Sequence, residues 1–323
     1  MQPFRLVLPN GATLTGLHNL PETSSPVHTT IRDRSRPLVI TIHGGSYCSN
    51  YFDADLKHSA SLCSNGLGIP VVSIDRPLYQ GSSSFYPSEK GKSYHEALAL
   101  WLHQYILPTL WSEFGKGCGS MVLHCHSLAT PSAVILAGWV ADQQTKGDES
   151  GYPLAGLTIS GFGSQNTAQI VEQGKKPSPD PLPEYIDHPV NVKNARMIPE
   201  GTADPGIYEQ SHRLHNRMPY AEIGDLKAIW ADGKWRDLCG RVKVPVMIGL
   251  AEIDALWMGT EGHLKEFAGG FAASAKVDAS LVKRAPHCIE LSYWAQGWYA
   301  RSFGWALECA ATYSVEKGKT KEA

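Results

Sequence analysis

Five short apolar runs recur along the chain, and each ends in glycine or polar residues close to a stretch of helical character. They cover residues 38–42, 70–74, 120–124, 154–160 and 244–250 and contain mainly Val, Ile, Leu and Met. Buried parallel strands have this composition because helices cover both faces of such a sheet. The alternation therefore predicts an α/β fold, with a mostly parallel central sheet and helices on both of its faces.

The two ends of the chain extend this core. Residues 4–8 and 13–17 flank Asn10-Gly11, a pair that supplies the positive φ angles of a tight turn, so we expect an N-terminal antiparallel hairpin. A last strand is expected over 275–283, followed by a long helix over 289–313. Further helices are predicted near 52–64, 93–114, 128–142 and 262–269.

The stretch 164–240 breaks the alternation of strands and helices. It has no convincing strand and carries prolines at positions 177, 179, 181, 183, 189, 199, 205 and 219. We read it as a helical and irregular cap inserted over the sheet. The predicted division is a core of 1–163 and 241–314, a cap or lid of 164–240, and a disordered, Lys-rich tail of 315–323.

Composition narrows the range of partners. Lys and Arg total 29 against 31 Asp and Glu, so no strong field attracts nucleic acid or an anionic membrane. The longest apolar stretch, 132–141, is far shorter than the ~20 residues of a membrane-spanning helix. Seven scattered cysteines without a Cys-x-x-Cys pair, and a start without a secretory signal, predict a reduced, cytoplasmic protein. We expect a small, mostly apolar molecule as partner; oligomeric state is not readable.

The third run leads into a candidate nucleophile. Cys125-His126-Ser127-Leu128-Ala129 places a serine at a strand-to-helix junction, between small residues two positions away on each side. This is the spacing of a nucleophile elbow, although the usual flanking glycines are replaced by Cys125 and Ala129. Cys125 itself is expected to point into helix packing and is not the predicted nucleophile.

A nucleophilic serine needs a base and an acid that orients the base. Asp254 follows the fifth run, and His287 follows the last predicted strand. Because the carboxyl ends of parallel strands meet at one edge, Ser127, Asp254 and His287 are predicted to form a catalytic triad. Glu252 remains an alternative acid or a supporting partner of Asp254.

The oxyanion of such a reaction needs backbone N–H donors. The amide of Leu128 is one candidate and that of Gly45 the other, with Ser46 as the alternative to Gly45. Three aromatic residues lie in loops beside these elements and are candidates for substrate binding: Tyr47, Tyr79 and Trp257. Apolar residues of the cap are expected to supply a lid.

Several conspicuous residues have structural explanations. His43 and Asp75, at strand ends, are expected to brace loops. His124 and His126 with His43 lack the converging spacing of a zinc site, so we predict no metal and no cofactor. Trp294, Trp298 and Trp305 recur at helical spacing and are expected to form a core stripe.

Taken together, His43-Gly44-Gly45, the segment 75–83, the serine elbow, the segment 249–254 and Pro286-His287-Cys288 resemble the α/β-hydrolase superfamily. The match runs in order from about Leu38 to Leu291, with 164–240 in place of the variable cap. More narrowly, the elbow with Cys125, the Glu-x-Asp pair and Pro-His-Cys-Ile-Glu resemble α/β-hydrolase-like proteins encoded with fungal secondary-metabolite genes. Some members of that group are thought to promote cyclisation or condensation.

These observations lead to three functional hypotheses. The first is a serine hydrolase that acts on a medium-sized, mostly apolar ester, lactone or thioester. The second keeps the site but uses His287 as a general base for condensation, cyclisation or C–C bond chemistry. The third is a non-catalytic, ligand-binding protein on a hydrolase scaffold, suggested by the missing elbow glycines.

Overall fold

The computed structural model describes residues 1–21, 36–85, 91–148, 150–175 and 177–322, with side chains up to residue 318. Within them ten strands are formed: β1 (Gln2–Val7), β2 (Thr13–Asn19), β3 (Pro37–Ile42), β4 (Val71–Ile74), β5 (Ser120–His126), β6 (Leu154–Ser160), β7 (Tyr185–Ile186), β8 (Met218–Pro219), β9 (Val246–Ile253) and β10 (Val277–Pro286).

Twelve α-helices occur in the same described residues: α1 (Ser61–Leu67), α2 (Tyr94–Trp101), α3 (Leu107–Phe114), α4 (Thr130–Lys146), α5 (Ala168–Gln173), α6 (Val190–Met197), α7 (Pro205–Leu214), α8 (Tyr220–Gly224), α9 (Leu226–Trp230), α10 (Lys234–Cys239), α11 (Glu261–Gly269) and α12 (Ala295–Glu322). Short 3₁₀ turns cover Ser49–Phe52, Ser127–Ala129 and Ile289–Leu291, and a π-helical turn, Leu102–Ile106, joins α2 to α3.

Eight of the described strands form one sheet in the order β1-β2-β4-β3-β5-β6-β9-β10. The β1/β2 and β2/β4 pairs are antiparallel, and every pair from β4 to β10 is parallel. The predicted α/β class with a mostly parallel sheet is thus confirmed. All five central strands direct their carboxyl ends to one edge, where the candidate residues lie.

Both faces of the sheet are buried, which explains the continuous apolar runs. Leu38, Ile40 and Ile42 of β3 contact one core, which contains residues of α2 and α4. Val39 belongs to the opposite core, which contains Trp298 of α12. Side chains alternate between faces along a strand, so a strand covered on both faces needs apolar residues at every position. Trp305 is also buried there and Trp294 packs against it, which confirms the core stripe.

The N-terminal hairpin forms as predicted. β1 and β2 pair in register from Gln2 opposite His18 to Val7 opposite Thr13. At the turn, the Leu8 amide donates to the Ala12 carbonyl at 2.7 Å, and Gly11 takes a φ of 81°. Glycine adopts this left-handed conformation without steric cost, which explains the Asn10-Gly11 pair.

The first helix prediction along the chain needs correction. Residues 52–64 were expected to be one helix, but a 3₁₀ turn ends at Phe52 and α1 begins only at Ser61. Between them, Asp55 Oδ1 accepts hydrogen bonds from the amides of Lys57 and His58 at 2.8 and 2.9 Å. An aspartate that binds the backbone just ahead of it favours a turn over a helix.

The predicted disordered tail, 315–323, is helical up to Glu322, and Ala323 lies outside the described residues. Its Glu and Lys residues are good helix formers, so a charged composition also suits the exposed end of a helix. Within the described part of the chain, no helix has both the length and the apolar character needed to cross a bilayer.

The cap segment, residues 164–240, lies between β6 and β9. Its described residues contain helices α5 to α10 and one short antiparallel ribbon, in which β7 pairs with β8. No sequence pattern predicts this ribbon, since each strand has only two residues and β8 ends in a proline. The ribbon places Met218 against the loop that follows β3.

Candidate active site

Ser127 lies at a sharp turn between β5 and α4. Its φ is 49°, an uncommon value for a residue with a side chain, and a short 3₁₀ turn precedes α4. Space for this turn comes from glycines on neighbouring loops. A Cβ on Gly44 would lie 2.8 Å from Ser127 Cβ, and one on Gly161 would lie 2.8 Å from His126 Cε1. The elbow therefore depends on glycines that are distant in the sequence.

The flanking residues of the elbow are fully buried. Cys125 lies in the core that contains α4, as expected, and Ala129 lies in the same core. Burial raises the pKa of the Cys125 thiol, which leaves little thiolate for nucleophilic attack.

Ser127, His287 and Asp254 form a continuous hydrogen-bonded chain. The Ser127 hydroxyl lies 3.0 Å from His287 Nε2, and His287 Nδ1 lies 2.8 Å from Asp254 Oδ2. The carboxylate keeps the proton on Nδ1, so Nε2 is free to accept the serine proton. Ser127 is 5% exposed and His287 1% exposed, so the arrangement is shielded from bulk solvent.

The loop after β9 orients Asp254. Its Oδ1 accepts hydrogen bonds from the amides of Leu256 and Trp257 at 2.8 and 3.2 Å, which leaves Oδ2 directed at His287. Glu252 does not share this position. Its carboxylate accepts from Lys283 Nζ at 3.1 Å and from the Arg284 amide at 2.8 Å. The geometry thus pairs His287 with Asp254 and Glu252 with the neighbouring strand β10.

The loop after β3 packs directly on the elbow. A Cβ on Gly45 would lie 2.8 Å from Leu128 Cδ1 and would collide with Met218 Sδ. The two residues predicted to supply oxyanion donors are therefore neighbours. Ser46, the alternative donor, has a φ of 60°, and its carbonyl accepts a hydrogen bond from the Asn216 amide at 3.1 Å. Which amides hold an oxyanion stays a prediction.

The three aromatic residues proposed for substrate binding are all buried. Tyr79 donates a hydrogen bond to Glu222, and its ring meets His43 edge-on, 4.7 Å between centroids. Trp257 packs against Phe162, 4.6 Å between ring centroids. Tyr47 accepts a hydrogen bond from the Cys288 thiol at 3.4 Å. Each has a structural contact, and their role toward a substrate stays a prediction.

A buried carboxylate three residues after His287 is not predicted by any sequence pattern. Glu290 Oε1 accepts hydrogen bonds from His124 Nε2 at 3.0 Å, Ser160 Oγ at 2.5 Å and Trp298 Nε1 at 2.9 Å. Its Oε2 accepts from the Tyr51 hydroxyl at 2.8 Å. The carboxylate thus joins the ends of β5 and β6 to the segment that carries His287.

Burial, neighbouring side chains and hydrogen bonds together set the pKa values of Glu290 and His126. Burial alone would raise the pKa of Glu290, but the imidazoles of His126 and His124 and the Ser160 hydroxyl outweigh it, so the pKa lies below its ordinary value. Burial lowers the pKa of His126 to about 3, and its ring stacks on Tyr51 with centroids 4.5 Å apart. Glu290 is therefore ionised at pH 7.

His43 and Asp75 brace loops, as expected. His43 Nδ1 donates to the Gly44 carbonyl at 2.7 Å, and its Nε2 accepts from the Arg76 amide at 3.2 Å. Asp75 accepts from the Ser49 amide at 2.8 Å and from Thr15 Oγ1 at 2.7 Å. Across the described ranges, no group of three or more His, Cys, Asp or Glu residues is arranged to hold a metal ion.

Comparison with known proteins gives matches in structure only. No protein-family model and no curated protein matches the sequence. An esterase from Thermogutta terrifontis is 15% identical, covers 96% of this chain and 100% of its own, and superposes with a TM-score of 0.61. The thioesterase domain of a curacin biosynthetic pathway is 14% identical, with 95% and 99% coverage and a TM-score of 0.54.

A mutant N-acyl homoserine lactonase, solved with N-hexanoyl homoserine lactone, is 14% identical. The match covers 96% of this chain and 98% of that one, with a TM-score of 0.58. These superpositions cover nearly the whole of this chain, including its eight-stranded, mostly parallel sheet. The protein described here therefore has the α/β-hydrolase fold.

Proposed function

We propose that this protein is a serine hydrolase that cleaves a medium-sized, mostly apolar ester, lactone or thioester. The observation that carries the proposal is the continuous contact of Ser127 Oγ, His287 and Asp254, with 3.0 and 2.8 Å between the bonded atoms. A serine hydroxyl is a weak nucleophile unless an oriented base removes its proton. The contacts of His287 with Ser127 and with Asp254 support these roles.

The reaction follows from these positions. Ser127 Oγ attacks the substrate carbonyl while His287 Nε2 takes its proton, and Asp254 stabilises the imidazolium that forms. The amides of Gly45 and Leu128 then hold the oxyanion of the tetrahedral intermediate. His287 returns the proton to the leaving alcohol or thiol. A water molecule, deprotonated by His287, releases the acyl group from Ser127 by the same steps in reverse order.

Two observations support the substrate class. The structural neighbours include, by their own descriptions, an esterase, a thioesterase domain and a lactonase. The thioether of Met218 lies over Gly45, and Leu128 lies beside it, so the side chains that pack on Gly45 are apolar. A mostly apolar acyl or alcohol group suits this surface better than a charged one.

The enclosure of the site favours a second candidate function. Ser127 and His287 are almost completely buried, and a site that excludes water protects reactive intermediates from hydrolysis. In that case His287 acts as a general base on a carbon acid, for condensation, cyclisation or C–C cleavage. The likeness of the elbow and of Pro286-His287-Cys288 to fungal biosynthetic hydrolase-like proteins points the same way.

Two substitutions distinguish the candidates. Acyl transfer through Ser127 requires that Ser127→Ala and His287→Ala each reduce kcat for p-nitrophenyl esters or thioesters by roughly 10³-fold or more. Base catalysis on a carbon acid requires that His287→Ala be inactive while Ser127→Ala keeps much of its activity. Turnover of any aryl ester by the wild type that both substitutions abolish excludes a purely ligand-binding role.

A further inference from the structure

Lys193 of α6, in the cap segment, is an unusual buried charge. Its side chain is 4% exposed, and Nζ donates a hydrogen bond to the Ser46 carbonyl at 3.0 Å. The ammonium also lies 4.0 Å from the centroid of the Tyr47 ring. Within the described residues, no carboxylate lies within ion-pair distance of it. Burial of an unpaired ammonium is costly, so its position on this loop calls for an explanation.

The carbonyl that Lys193 binds belongs to a strained part of the loop. Ser46 has a φ of 60°, in the left-handed region that residues with side chains rarely adopt. The cap supplies a second donor to the same oxygen, the Asn216 amide at 3.1 Å. Two donors from the cap thus fix the residue that follows Gly45, while the Met218 side chain packs against Gly45 itself.

The other end of α6 contacts the second catalytic loop. The amide of Cys288, next to His287, donates to the Met197 carbonyl at 3.0 Å. Tyr47 lies between the two contacts, because its ring meets Lys193 and its hydroxyl meets the Cys288 thiol. One helix of the cap therefore joins the loop of Gly45 to the loop of His287.

We infer that Lys193 is a positioning residue of the proposed acyl-transfer site, and that it holds the Gly45–Ser46 loop in the conformation that binds the oxyanion. The inference rests on the proposed function. Oxyanion donors act only when charge develops on the carbonyl oxygen, so their misplacement lowers kcat more than it raises KM. The cap then does more than cover the site, because its docking completes the oxyanion hole.

The charge of Lys193 gives the arrangement a pH dependence. Burial lowers the pKa of Lys193 to about 8, although Cys288, Cys48 and Asp187 oppose the effect. The titratable groups that face it from the neighbouring segments are these three, Tyr47 and, in the cap, His188. Loss of the proton weakens a charge-assisted hydrogen bond to Ser46. We therefore expect kcat to fall as pH rises through about 8.

The experiment compares Lys193→Met with a matched cap control, Lys175→Met. Lys175 is exposed, and it pairs with Glu172, which is also exposed and is not a residue of the candidate site. Lys193→Met removes a buried charge and keeps the apolar stem, so it is expected to fold with unchanged or higher stability. Its kcat should fall by roughly 10²-fold with KM changed less than about threefold. Lys175→Met should match the wild type.

A trifluoromethyl ketone inhibitor gives a readout that a merely structural role does not move. It forms an oxyanion on Ser127, so its affinity should fall in Lys193→Met by the same factor as kcat/KM. Lys193→Arg should restore part of the rate and should lose the decline near pH 8. Wild-type kcat and inhibitor affinity in folded Lys193→Met would overturn the inference while leaving the proposed function intact.

Hydrogen exchange tests the inference independently of activity. If Lys193 clamps the loop, the amides of residues 44–48 should exchange faster in Lys193→Met than in Lys175→Met. Unchanged exchange in this loop contradicts the clamp. Absence of ester turnover by the wild type contradicts the proposed function instead, so the two failures are distinguishable.

Discussion

A Cβ atom on Gly44 would lie 2.8 Å from the Cβ of Ser127, closer than non-bonded carbon atoms approach in proteins. Gly44→Ala must therefore displace either the loop that follows β3 or the turn at Ser127. Because small displacements of catalytic groups are costly, we expect kcat/KM to fall by about 10²-fold or more. Steady-state kinetics on an aryl ester measure the effect, with circular dichroism to confirm folding.

Gly297→Ala is the matched control for this substitution. Gly297 lies in α12, and no atom stands within 4 Å of the position its Cβ would take. Alanine favours a helix over glycine, so stability should rise by about 0.5–1 kcal/mol with activity unchanged. Full activity in Gly44→Ala would show that the loop and the elbow are not tightly coupled.

Asp254→Asn tests which acid orients His287. The amide removes the charge that keeps the proton on Nδ1, and we expect kcat to fall by up to about 10⁴-fold. Glu252→Gln is the control, because its carboxylate meets Lys283 and the Arg284 amide. It should change kcat by less than about threefold. The opposite pattern, with Glu252→Gln inactive and Asp254→Asn active, would make Glu252 the catalytic acid.

Glu290→Gln should destabilise the protein in a pH-dependent manner. The folded-state pKa of Glu290 lies below the ordinary value of 4.5, so its contribution is complete above about pH 4.5 and is lost as pH falls further. At pH 7 the variant loses charge-assisted hydrogen bonds, which we expect to cost about 2–3 kcal/mol. Below pH 4 the difference from the wild type should narrow.

Urea unfolding between pH 7 and pH 3 measures this difference. Glu308→Gln is the control, since Glu308 is an exposed residue paired with Lys276, and exposed pairs contribute at most about 1 kcal/mol. A constant difference between Glu290→Gln and the wild type across this pH range would contradict the assignment of a buried, ionised Glu290.

Arg76 and Glu222 form a fully buried ion pair between the core and α8 of the cap. Glu222→Gln leaves the Arg76 guanidinium without a counter-charge, which we expect to cost about 3–5 kcal/mol of unfolding free energy. The double variant Arg76→Met/Glu222→Gln should recover more than half of that loss. Simple additivity of the two single variants would show that the pair is not energetically coupled.

That Ser127, Asp254 and His287 lie together could be predicted because strand ends are visible in the sequence. In a parallel sheet, the strands before Ser127, Asp254 and His287 all end at the same edge. This holds for any conformation of the connecting loops. Glu290 could not be predicted. It follows His287 in a segment that reads as the start of the last helix, whereas a 3₁₀ turn at Ile289–Leu291 returns its carboxylate to β5 and β6.

The contacts of the aromatic residues could not be predicted from the sequence either. Tyr79 lies in a loop beside the site, and its burial against Glu222 depends on a cap residue 143 positions away. Lys193 likewise gave no signal, because a lysine in a polar helix is usually exposed. Its contacts depend on how the cap docks on the loop of Ser46, and sequence spacing carries no information about docking.

Reaction with a fluorophosphonate probe tests the central claim most directly. The probe reacts preferentially with a serine that an adjacent base activates, and the modified residue can be located by peptide mass spectrometry. The proposed triad predicts one label, on Ser127, in the folded wild type, and its loss in His287→Ala. A folded wild-type protein that takes up no label, or takes it up at another residue, would contradict the assignment of Ser127 as the nucleophile.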